Sequence, residues 1–160
     1  MFENLTKVLN DFGRFLVEEY RENLTKDKKN ASNELYNSLN YIIDTSTKGR
    51  FEVQISLLHY WKYVEYGRRA GKFPPINAIQ EWVRIKPVLP KPMSNGKLPT
   101  ERQLAYLISR KIALEGIAPN PLLEKSINSV TEVMLEYIEE AITKDLEKEI
   151  ELICKNVGLI

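Results

Sequence analysis

The residues able to do nucleophilic, acid–base or metal chemistry are few in this chain and badly spaced for it. There is one histidine, His59, and one cysteine, Cys154. A single histidine cannot build a His-rich metal site, and a single cysteine cannot close an internal disulfide. His59 stands at the end of an apolar run, where a structural imidazole is the simplest reading, and Cys154 falls near the end of a helical pattern with no second histidine to activate it. The acidic residues Glu139, Glu140, Glu147, Glu149 and Glu151 could meet a divalent cation, but Lys144 and Lys148 lie at helical reach among them, so surface ion pairing accounts for them. No GxGxxG, GxxxxGK, CxxC or HExxH spacing occurs. No catalytic, cofactor-binding or metal-ligating residue is assigned, no cofactor is expected, and the chain does not read as an enzyme.

The remaining chemistry is that of binding. Arg68, Arg69 and Lys72 form a basic loop flanked by Tyr66 and Phe73, a mixture of charge and aromatic surface that can hold nucleic-acid backbone and bases. Glu65 stands between Tyr63 and Tyr66. If buried it needs a charged or hydrogen-bonding partner, with Arg110 and Lys111 as candidates, and otherwise it is an exposed acid beside two packed tyrosines.

The elements that must position these groups follow from composition and periodicity. The chain has 160 residues, 43% of them apolar and 28% charged, which fits one folded domain with a real core. No stretch is long and apolar enough to cross a membrane, and Glu3 and Asp11 stand where a signal peptide would be basic and then apolar. Synthesis in a reducing cytoplasm is therefore expected. The net charge of +1 conceals polarity: residues 1–47 hold six Lys/Arg and eight Asp/Glu, residues 48–125 fourteen and six, and residues 126–160 three and eight. A basic centre with an acidic tail can steer association, including association with further copies.

Phe2, Leu5, Val8, Leu9, Phe12, Phe15, Leu16 and Tyr20 recur at helical spacing and predict an amphipathic first helix, ended by the polar stretch Lys26 to Asn30. Alternation predicts strands over 35–43 and 51–57, joined by the turn residues between Asp44 and Gly49 into an antiparallel hairpin lying on the first helix. The aromatic run 59–67 fits either an extended strand or a short helix. After Pro74 and Pro75 a helix is predicted over 76–85, followed by an irregular stretch holding Pro87, Pro90, Pro92, Ser94, Asn95, Gly96 and Pro99. Thr100 and Gln103 then make a capping box for a helix over 101–115 that Gly116 ends. The last helix is predicted over 121–156, with a break conceivable at Ser129 and an unbroken length of roughly 50 Å. That exceeds what so small a core needs, and part of its apolar stripe is expected to meet another chain. The class is α+β, with a helical and proline-rich insert at about 74–116.

Two phrases carry the most information, Tyr63-Val64-Glu65-Tyr66-Gly67 and Gly116-Ile117-Ala118-Pro119-Asn120-Pro121-Leu122-Leu123. Placed after an N-terminal amphipathic helix and a hairpin, and before a C-terminal helix, they resemble the neck or tail-completion proteins of long-tailed bacteriophages. The first phrase matches that family's pattern fully. At the second this chain has Leu122 where the family usually has phenylalanine, which keeps an apolar plug. Pro75-Ile-x-Ala-Ile-x-Glu-Trp82 and Leu104-Ala-Tyr-Leu-Ile-x-Arg-Lys-Ile112 resemble a helical insert of the same proteins. The resemblance implies a virion structural protein that forms an oligomeric ring at the neck. Its partners would be itself, the head-side connector or adaptor, and the tail tube or tail terminator, with DNA met only by passage through the lumen. The candidate interaction residues are Tyr63, Glu65, Tyr66, Gly67, Gly116, Pro119, Pro121 and Leu122 of the two phrases, with Arg68, Arg69 and Lys72 of the basic loop. A nucleic-acid-binding module working through Arg68, Arg69 and Lys72 is the alternative.

Overall fold

Two long helices form the backbone of the fold, and both arise from the 3.6-residue apolar repeat. The computed structural model describes residues 2–29, 32–47, 49–86, 88–94 and 96–157; of the loop residues named above, Asn30, Pro87 and Asn95 lie outside these. Helix α1 spans Glu3–Lys26 and helix α6 spans Leu122–Val157, with α2 at Glu34–Ser38, β1 at Asn40–Asp44, β2 at Glu52–Ser56, α3 at Trp61–Glu65, α4 at Ile76–Ile85 and α5 at Glu101–Glu115 between them. The chain is α+β: the described residues form six helices and a two-stranded antiparallel hairpin.

α1 and α6 pack along each other, and Leu24 near the end of α1 lies with Leu122 at the start of α6, so the pair is antiparallel. Their core is completed by Val17, Tyr20, Leu35 and Leu39. Burying aliphatic and aromatic side chains of this size contributes about 1.5–3 kcal/mol each, which makes this cluster the main source of stability.

The hairpin lies on α1 as expected, in the register Tyr41 opposite Ile55 and Ile43 opposite Val53. Tyr41 lies against Gly13, and a Cβ at that glycine would collide with the Tyr41 ring. A glycine inside a helix costs about 1 kcal/mol relative to alanine, and here the missing side chain is what seats the strand. The Tyr41 hydroxyl donates to Asn10 Oδ1 at 3.1 Å, and Phe2 meets Phe51 edge-on.

The predicted first strand began too early. Residues 34–38 are helical, and the strand starts only at Asn40. Leu35 and Leu39 are four residues apart and both buried, a helical spacing that puts them into the same core, whereas alternation would have sent Asn37 with them to one face. Of the two readings of the aromatic run, the short helix is realised, over Trp61–Glu65. α4 and α5 have the predicted bounds, and α5 has the predicted capping box. α6 runs through Ser129 without a break.

α4 and α5 form an antiparallel arm. Gln80 and Arg84 near the end of α4 both donate to Glu101 at the start of α5, each at 2.6 Å, and Phe73 before α4 meets Tyr106. The arm's apolar positions are covered unevenly. Ala105 and Ser109 are buried, but Leu107 is exposed, and no residue of α4 is buried. Between the two helices Met93 and Lys97 close a local turn, and Leu89 and Leu98 are exposed.

Candidate functional site

The two glycine-ended phrases, 49 residues apart counted from Gly67 to Gly116, meet in space. Arg68 and Ile117 exchange both backbone hydrogen bonds, at 2.9 and 2.8 Å, as an isolated antiparallel bridge. Gly67 has φ 66° and Gly116 φ 77°, left-handed values that suit glycine. A Cβ on Gly67 would overlap the Ile117 carbonyl oxygen, and one on Gly116 the Arg68 carbonyl oxygen. Each glycine therefore makes room for the other strand of the bridge. Gly71 N–H donates to the Ala113 carbonyl at 2.8 Å and extends the seam, which is where the arm joins the rest of the molecule.

Glu65 lies directly under this seam and is only 3% exposed. Its two carboxylate oxygens accept from the backbone N–H groups of Leu123 and Glu124, both at 3.0 Å. The expected partners are thereby corrected: Arg110 is exposed, and Lys111 pairs with Glu115 at 3.7 Å. The first turn of a helix offers N–H groups with no partner of their own and the positive end of the helix dipole, so a carboxylate there is neutralised without burying a cation. Glu65 thus caps α6 from another part of the chain. Pro119 and Pro121 fix the corner, the Asn120 N–H donates to the Glu65 carbonyl at 3.0 Å, and the Asn120 side-chain amide donates to Asp27 Oδ2 at 2.7 Å. Leu122, the apolar plug, is buried in the core.

Tyr20 lies beneath. Its side chain is fully buried, and the hydroxyl has no partner among the described residues. Burial and the neighbouring Glu65 charge push its ionisation well above the usual tyrosine range.

The other end of the helix pair repeats the device. Asp145 of α6 is 3% exposed and accepts from the backbone N–H of Leu5 at 2.9 Å and of Asn4 at 3.2 Å, and from the Asn4 side-chain amide at 2.8 Å. Desolvation pushes its pKa up, but these three hydrogen bonds and the charge of Lys148 outweigh it and hold the carboxyl below its ordinary value. Residue-by-residue reading overlooked Asp145. The signal was available: it is an acid four residues after Ala141, in register with the buried stripe Val130, Met134, Ala141.

The remaining predicted residues are surface features. Tyr63 and Tyr66 are exposed, Tyr66 resting on Trp61 with ring centroids 5.8 Å apart. Of the three loop cations, Arg68 is half-buried and donates to the Lys72 carbonyl at 2.9 Å, bracing the loop, while Arg69 and Lys72 are exposed and make no ion pair among the described residues. His59 is exposed beside Tyr60, and Cys154 is half-buried. Glu140 pairs with Lys144 at 2.6 Å and Glu151 with Lys155 at 3.8 Å, as surface pairs, and no group of three or more potential metal ligands occurs among the described residues.

Between the arm and the α2–α3 region lies a groove of about 590 Å³, lined by apolar side chains that include Tyr63, Val64, Ile79, Trp82, Ile112 and Ile117. Lys86 spans its edge, donating to the Lys28 carbonyl at 2.6 Å with its ammonium over the Trp82 ring. No helix among the described residues is long and apolar enough to cross a membrane. No family model, curated protein or solved structure matches this chain.

Proposed function

We propose that this chain is a structural protein of the bacteriophage neck, joining the head-side connector to the tail by assembling with copies of itself into a ring. The observation that carries the reading is the seam: the two phrases that resemble the neck proteins form one corner, in which Gly67 and Gly116 allow the Arg68–Ile117 bridge and Glu65 caps the helix that leaves it. The corner is built to set the direction of a long helix, and it offers no group placed to attack or protonate a substrate. The helix it directs supports the same reading, because Val133, Tyr137, Ile150 and Ile153 on α6 are 57–65% exposed, more apolar surface than this fold covers by itself. In a ring, Arg69 and Lys72 repeated around the axis would meet passing DNA by charge alone.

The test is the joined particle. Electron microscopy of particles made with a labelled copy of this chain is expected to place the label at the neck, and Glu65→Ala is expected to lower the yield of complete, infectious particles more than it lowers soluble protein. Label absent from the neck, or a normal yield of joined particles with Glu65→Ala, would count against this role.

A further inference from the structure

α6 continues past the helix it packs on. Asp145 caps the first turn of α1, so α1 ends at that level while α6 runs on to Val157, about 18 Å further. Leu146, Ile150, Ile153 and Val157 follow one another at spacings of four, three and four, which places them on one stripe, and they are 46–67% exposed. Glu147, Glu149 and Glu151 flank them, against Lys148 and Lys155.

The groove beside the arm has the complementary character. Its floor is apolar, and at its edge Lys29 and Lys86 outnumber Glu34. The arm around it, residues 76–115, holds seven Lys/Arg and three Asp/Glu, whereas residues 126–160 hold three and eight. The overhang cannot turn back into the groove of its own chain. Val64 in the groove packs against the cluster that contains Leu122, at the start of α6, while Leu146 lies about 36 Å along the same unbroken helix.

We infer that the overhanging end of α6, residues 146–157, docks its apolar stripe into the arm groove of a second copy of this chain. The contact joins two different surfaces, tail of one copy to arm of the next, so each copy has one of each left to use. Such contacts close into a ring or run on as a filament. The inference rests on the ring reading proposed above and supplies its interface.

The test uses the full chain and solution mass measured at increasing concentration. Ile150→Asp with Ile153→Asp spoils the overhang at exposed positions, and Ala78→Arg, at an exposed position lining the groove, obstructs it without removing a packed atom. A second groove variant, Ile79→Asp, guards against a local effect of the arginine. Wild-type chain is expected to assemble, and each variant alone to stay at the single-chain mass of 18.6 kDa. An equal mixture of overhang and groove variants is expected to form a species of twice that mass and nothing larger, since only one intact pair of surfaces remains. Groove variants that assemble like wild type, a mixture that stays single, or wild-type chain that stays single up to millimolar concentration would each overturn the interface. These failures are separable from failure of the neck reading, because the labelled-particle experiment can still place the chain at the neck when no copy-to-copy contact forms in solution.

Discussion

The pair α1–α6 and the pair α4–α5 are both antiparallel helix pairs, yet they are held in different ways. The first buries Leu16, Val17, Tyr20 and Leu24 on α1 and Leu122, Val130 and Met134 on α6, and each member receives a buried carboxylate at its N-terminus, Asp145 for α1 and Glu65 for α6. The second buries little beyond Ala105 and Ser109, is tied at its far end by exposed contacts to Glu101, and joins the body through the Gly67–Gly116 seam and Lys86. One pair is fixed by packing and the other by a few exposed side-chain contacts and the backbone bonds of the seam. The difference teaches where this molecule can respond to a partner: structures with few buried contacts open at lower free energy than the global unfolding.

The contrast can be broken at the seam. Gly67→Ala combines a left-handed backbone with a Cβ placed on a carbonyl oxygen, and is expected to cost about 3 kcal/mol or more, with arm amides exchanging much faster while those in the middle of α1 stay protected. Equal loss of protection in both pairs would show that the arm is not the separate part. Next in size is Glu65→Ala, which removes two charge-assisted hydrogen bonds from the start of α6 and is expected to cost about 2–3 kcal/mol by denaturant titration, with the first turns of α6 exchanging earliest. A change below about 0.5 kcal/mol would reduce Glu65 to a bystander.

Asp145→Asn sharpens the comparison at the opposite end, with an expected cost of about 1–2 kcal/mol at neutral pH. Its pH dependence has a definite sign. The folded carboxyl titrates below its ordinary value of 3.8, so as the pH falls through that value the unfolded chain takes up the proton first. The stability contributed by Asp145 is complete above the ordinary value and is lost as the pH falls below it toward the folded value. Wild type should therefore show a steeper acid loss than the variant, and parallel curves would sink the assignment. The smallest effect is expected from Thr100→Ala, which removes the N-cap of α5. It should cost about 1 kcal/mol, appear as faster exchange in the first turn of α5, and leave the melting of the α1–α6 pair nearly unchanged.

Much of the fold was legible in the chain. The bounds of α4 and α5 follow from prolines, a capping box and a terminal glycine, all signals that act within a few residues. The strand expected over 35–43 starts too early because Leu35 and Leu39 belong to a helical turn, whereas Tyr41 and Ile43 belong to the strand. The site was half legible. Glu65 and the two glycines stood out as phrases, but a nearby cation is the obvious partner for an acid, and a helix N-terminus 58 residues away leaves no trace in local sequence. Asp145 was hidden because it stands among many acids on a surface helix and differs from them only in register.

The amino-acid sequence by itself determined the elements whose causes are local: where α4 and α5 start and stop, and that α6 is longer than so small a core needs. Only the tertiary structure decided what those elements do for one another. It brought Gly67 to Gly116, put Glu65 under the first turn of α6 and Asp145 under the first turn of α1, and left the end of α6 and the arm groove uncovered at opposite ends of the same helix. The physical reason is that caps, bridges and grooves are made by groups far apart in the chain, whose energies exist only once packing has brought them within hydrogen-bonding or van der Waals distance.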